Sequence, residues 1–81
     1  MLEIKFPKMW RRFGYDVEEP EVIRRRKVMI ASKRDKRFGL ELESFGRNLP
    51  PLMLSSDTNT RHKLKKIRKD YLWWVQEGKW L

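Results

Sequence analysis

The sequence predicts a small α+β domain, an antiparallel sheet of about three strands with one or two helices and an extended N-terminal arm. Three observations carry that expectation. VIRRRKVMIAS (22–32) closes on a short apolar alternation, and FGLELESFGRN (38–48) alternates Leu40 and Leu42 with Glu41 and Glu43. YLWWV (71–75) is rich in the aromatic and β-branched residues that strands favour.

Size and charge narrow the field. The 81 residues make one domain at most. Chains this short bury only about 60–65% of the surface they expose when unfolded, so the core is marginal. Cysteine is absent and His62 is the sole histidine, which excludes a disulfide framework and a zinc module. Charged residues make up 38% and mean hydropathy is −0.81, yet 12% of residues are aromatic, four of them tryptophan. Disordered chains are poor in such rings, so a small ordered core is expected. Twenty Lys and Arg against eleven Asp and Glu leave +9, with a pI near 10.3. The charge is clustered, which points to a polyanion, because counterion release from phosphates drives such binding. No apolar run reaches the roughly 18–20 residues of a membrane span, and the N-terminus lacks the apolar core of a secretory signal.

Each element is justified in turn. Residues 1–21 read as an arm in which Phe6, Lys8, Trp10, Arg11, Arg12, Phe13 and Tyr15 alternate loosely before the acidic DVEEPE, with Pro7 and Pro20 interrupting any long element. Such an arm lies along RNA, guanidinium groups on phosphates and rings on bases, or covers the core with its aromatics. Residues 22–81 form the single domain. Its first strand turns Val28 and Ile30 inward and Lys27 and Met29 outward, and KRDKR (33–37) is a basic loop. Residues 38–48 lean to a second strand, making 27–44 a hairpin. Phe38, Leu42, Phe45 and Leu49 also repeat as a helical stripe, which Gly39 and Gly46 weaken. Pro50 and Pro51 end whatever precedes them, and LMLS (52–55) suits one short buried strand. Asp57 or Thr58 then caps a basic helix carrying Leu64 and Ile67 inward. A break near Lys69–Tyr71 hands over to the strand YLWWV, since one long helix would spread Trp73, Trp74 and Val75 around much of its circumference. The expected core is Val28, Ile30, Leu42, Leu52, Leu54, Leu64, Ile67, Leu72 and Val75.

Catalysis has little to work with. His62 has no thiol beside it, Ser55, Ser56 and Asp57 read as a helix cap, and Glu41 with Glu43 reads as a solvated edge. There is no glycine-rich phosphate loop and no metal-ligand spacing, so a non-enzyme without cofactor or small-molecule substrate is expected. The basic clusters are the candidate RNA-binding residues: Arg11 and Arg12 in the arm; Arg24, Arg25, Arg26 and Lys27; Lys33, Arg34, Lys36 and Arg37; and Arg61, Lys63, Lys65, Lys66, Arg68 and Lys69. Arg61, His62 and Lys63 oppose the helix dipole in the first turn, a start that suits a phosphate held nearby.

LMLSSDT (52–58), KLKKIRK (63–69) and YLWWVQE (71–77), with RKVMIAS (26–32) as opening strand, resemble the large-subunit ribosomal protein thirty family. FGYDVEEP (13–20) is similar to the short extension before that strand in mitochondrial members. The resemblance covers roughly residues 26–77. It implies a helix packed on a three-stranded antiparallel sheet, a structural role in the mitochondrial large ribosomal subunit, and location in the matrix. Its partners would be rRNA and neighbouring ribosomal proteins, with Trp10, Phe13 or Tyr15 packed on bases or on those proteins. Two other readings stand beside it. One is a supernumerary subunit of another large assembly, such as a respiratory complex. The other is a small DNA-binding regulator, whose 58–70 helix lacks the Asn/Gln–Arg mix used for base readout.

Overall fold

Two prolines set the first helix starts. In the computed structural model, which describes residues 7–54 and 57–81 (without the side chains of 52 and 53), Pro7 precedes α1, Lys8–Arg12, and Pro20 precedes α2, Glu21–Arg34. A ring that fixes φ near the helical value costs little where no N–H acceptor is required. Gly14, at φ +75°, ends α1. Its N–H donates to the Arg11 carbonyl at 3.1 Å and the Tyr15 N–H to the Trp10 carbonyl at 2.8 Å, a paired closure that needs a left-handed residue. The chain turns there, and both Trp10 and Tyr15 are buried.

Asp35 alone separates α2 from α3, Lys36–Arg47, and its carboxylate accepts the Arg37 N–H at 3.0 Å. Next come α4, Leu49–Leu54, and α5, Thr58–Gln76, which is closed by a 3₁₀ turn at Gly78–Trp80. Asp57 caps α5, accepting the Thr60 N–H at 2.7 Å, as the sequence suggested. Helices α2, α3 and α5 pack on one another, and α4 packs on α3 and α5.

No strand occurs among the described residues, so the α+β expectation of a three-stranded sheet is overturned in favour of an all-helical domain. Each misread strand has a physical reason. In residues 22–32, Arg24, Val28 and Ala31 share one buried helical face, whereas Ile30 is 48% exposed. A three-residue alternation is too short to distinguish a period of two from 3.6. KRDKR is not a loop: Lys33 and Arg34 finish α2, and Lys36 and Arg37 begin α3. Residues 52–54 of LMLS are no strand either, since they belong to α4, whose first turn holds Pro50 and Pro51, while Ser55 lies outside the described residues.

For residues 38–48 the helical stripe prevails, with Phe38 and Leu42 fully buried. The glycines that argued against a helix are there for close approach. A Cβ on Gly39 would stand 2.7 Å from Cζ2 of Trp74, and one on Gly46 would run into the Tyr71 ring. About two turns apart, they open a shallow groove on α3 for the aromatic residues of α5. That fit also explains why α5 does not break at Tyr71. Leu64, Ile67, Tyr71 and Trp74 continue one stripe, and the guanidinium of Arg25 covers Trp73 at 5.3 Å.

The core comprises Trp10, Tyr15, Val28, Ala31, Phe38, Leu42, Leu49, Leu64, Ile67 and Trp74. Four of these were expected. Leu54 is instead 84% exposed, Ile30 and Leu72 face solvent in large part, Val75 is half-buried, and the side chain of Leu52 lies outside the described residues. The rings of the N-terminal segment are core material. Trp10 meets Tyr15 and Phe45 edge-on at 5.1 and 5.0 Å, and Phe13 meets Phe38 at 5.8 Å. Trp10 and Tyr15 are therefore not presented to RNA bases.

Candidate nucleic-acid interface

The positive side chains fall into two populations, one spent inside the fold and one displayed. Arg24 heads the first. Its side chain is 5% exposed and forks onto the fully buried Asp70, from Nε to Oδ2 at 2.8 Å and from Nη2 to Oδ1 at 3.2 Å. Its Nη1 donates to the Glu19 carbonyl at 2.8 Å, and the Tyr15 hydroxyl donates to Asp70 Oδ2 at 2.5 Å. Burial works against the Arg24 charge, but the hydrogen bonds and charge of Asp70 outweigh it and hold the guanidinium above its usual pKa. Burial first, then the Asp70 charge and hydrogen bond, push the Tyr15 hydroxyl far up. This cluster joins the turn after α1, the start of α2 and the middle of α5. It leaves Arg24 closed to phosphate.

The acidic DVEEPE segment accounts for further cations. Arg25 donates to Glu21 at 2.5 Å, and Lys27 reaches the Gly14 carbonyl at 2.8 Å and pairs with Glu19. Lys66, half-buried, stands 4.0 Å from Glu18. Arg37 binds Asp35 through Nη2 at 2.9 Å, and these bonds hold that carboxyl below the usual range, with Arg12 adding to the effect. The last turn of α1 is thereby set beside the α2–α3 corner. Arg12 and Arg37 act there on Asp35, Glu41 adds to the hold on Arg37, and Lys33, Arg34 and Lys36 are exposed at the same corner, while Arg11 and Arg26 are exposed on α1 and α2.

The larger display is on α5. Arg61, Lys65, Arg68 and Lys69 form one stripe along α5, Arg61 and Arg68 flanking Leu64 and Lys65 and Lys69 turned further from the Leu64–Ile67 face, and all four are exposed. Lys63 is exposed as well, on another side of the helix. Thr58 to Lys69 contains no carboxylate. Asp57 precedes it, held below the usual range first by the Thr60 N–H and further by Lys63 and Arg61, and Asp70 lies inside. At about 1.5 Å per residue, Arg61 to Lys69 makes a rod of positive charge about 12 Å long. Lys65, Arg68 and Lys69 form no ion pair among the described residues, so their charge is open to an external anion.

The sequence reading missed Asp70, Tyr15 and the pairing of Arg24. One signal was available: Asp70 lies three residues after Ile67 and four before Trp74, within the apolar stripe, where a carboxylate must find a partner. Among the described residues no cluster of His, Cys, Asp and Glu could hold a metal ion, and no helix is long and apolar enough to cross a membrane. Comparison with protein families, curated proteins and solved structures found no match.

Proposed function

We propose that this chain is a non-catalytic structural protein of a ribonucleoprotein particle, attached to RNA by the outward face of α5 and by the basic α2–α3 corner. The ribosome is the assembly proposed, with rRNA and neighbouring ribosomal proteins as partners. The choice of a mitochondrial large subunit rests on the sequence resemblance alone, and the sheet which that resemblance implies is not part of this fold. The observation that carries the reading is the separation of charge. Acidic side chains neutralise cations against the fold, while α5 presents Arg61, Lys65, Arg68 and Lys69 on a side without carboxylates. Such a face favours phosphate by counterion release.

A second reading, a supernumerary subunit held mainly by proteins, is favoured by the exposed Val22, Ile30, Leu54, Trp80 and Leu81. Gel shifts against structured rRNA, duplex DNA and anionic liposomes in a salt series, with co-sedimentation of the tagged protein with ribosomal subunits, separate the two. Salt-steep binding to RNA and migration with a subunit support the first. Binding to none of the three probes, with migration in another assembly, refutes it.

A further inference from the structure

The residues that remain on the surface also select the form of RNA. We infer that the α5 face engages the phosphate backbone of an RNA duplex and does not hold unpaired bases; the inference rests on the RNA-binding reading above. Binding of single strands relies on aromatic side chains on which bases stack, flanked by cations. Here the rings are consumed by the fold. Trp10, Tyr15, Phe38 and Trp74 are buried, and Phe13, Phe45, Tyr71 and Trp73 pack against them. On the basic half of α5 the one exposed ring is the small imidazole of His62, and among the described Phe, Tyr and Trp residues Trp80 alone is exposed by more than half, with the Lys79 ammonium already 5.0 Å from its centroid. Trp80 lies beyond the end of α5, on the 3₁₀ turn, away from the basic half of that helix.

What α5 offers instead is a stripe of cations held along one rigid helix. A duplex presents phosphates in a regular, rigid array, and its recognition runs through shape and backbone instead of base edges. Asn59 and Gln76, the only amides on α5, lie beyond either end of the row, and the deep, narrow major groove of an RNA duplex keeps the arginines and lysines between them from the guanine edges they could otherwise read. Binding is therefore expected to be indifferent to sequence. Phosphate contacts from Lys65, Arg68 and Lys69 contribute about −2.7 to the log–log salt slope, or about 40-fold weaker binding between about 50 and 200 mM salt.

The test compares the full chain on a mixed-sequence RNA duplex of about 20 base pairs with either strand alone, by fluorescence anisotropy, and repeats both with Trp80→Ala. The duplex is expected to bind about tenfold more tightly than either strand, and Trp80→Ala to change duplex affinity by less than about twofold. Equal or tighter binding of a single strand, or a tenfold loss in Trp80→Ala, would overturn this inference and leave RNA binding in place. Failure to bind either form would overturn the RNA-binding reading and this inference with it.

Discussion

Replacing Asp70 with alanine removes the acceptor of three hydrogen bonds, from Tyr15 Oη and from Nε and Nη2 of Arg24. The carboxylate is fully buried and the guanidinium nearly so, so water cannot replace it without opening the helix packing. A buried charge stripped of its partner costs about 3–5 kcal/mol. A domain of this length has about 4–12 kcal/mol of stability in total, at roughly 0.05–0.15 kcal/mol per residue. Asp70→Ala should therefore lose a large part of the whole, read as a lowered urea midpoint by far-ultraviolet circular dichroism. The triple variant Tyr15→Phe/Arg24→Met/Asp70→Leu removes charges and hydroxyl together. It should recover to within about 2 kcal/mol of the parent, because apolar replacement of a buried ion pair is often neutral. A loss below about 1 kcal/mol in Asp70→Ala would refute the argument that this cluster ties the N-terminal turn to α2 and α5.

The same cluster predicts an alkaline limit. Tyr15 is raised from its usual value of 10.0, so the folded chain keeps a proton that the unfolded chain releases above that pH. Its contribution is complete below the unfolded value and falls as pH rises, by at most about 1.4 kcal/mol per unit. Tyr15→Phe should lack that part of the slope when unfolding is compared between about pH 9 and pH 11. Gly39→Ala should destabilise by about 1–3 kcal/mol through overpacking against Trp74, although helix propensity alone favours alanine by about 1 kcal/mol. Its melting temperature decides between them. Arg25→Gln, which removes a cation from the Trp73 ring, should cost about 0.5–1 kcal/mol and leave the RNA salt slope unchanged, because that guanidinium already serves Glu21 and Trp73.

Much of the cationic surface was legible in the sequence, and much of the fold was not, for a shared reason. A run such as RHKLKKIRK declares its charge whatever its conformation, and the Asp57 cap follows from local chemistry alone. By contrast, Gly39 and Gly46 look like helix breakers until Trp74 and Tyr71 are set against them from residues far along the chain. Trp73, Trp74 and Val75 likewise look spread too far around one helix until Arg25 covers Trp73 and the α3 groove takes Trp74. Tertiary contacts overrode propensity at each of these positions. The site list was too inclusive on the same ground: charge is visible in sequence, but the pairing of Arg24 with Asp70, and of Lys27 with Glu19, depends on which residues the turn after α1 brings together.

The central claim is that α5 carries RNA on an outward cationic face separate from the core it packs. The most direct measurement is the dependence of duplex-RNA affinity on salt for the parent chain and for Lys65→Gln/Arg68→Gln/Lys69→Gln. The account predicts a log–log slope shallower by about 2.7 in the variant, at about 0.9 per phosphate contact, with thermal unfolding essentially unchanged. A parental slope in a variant that remains folded would contradict it.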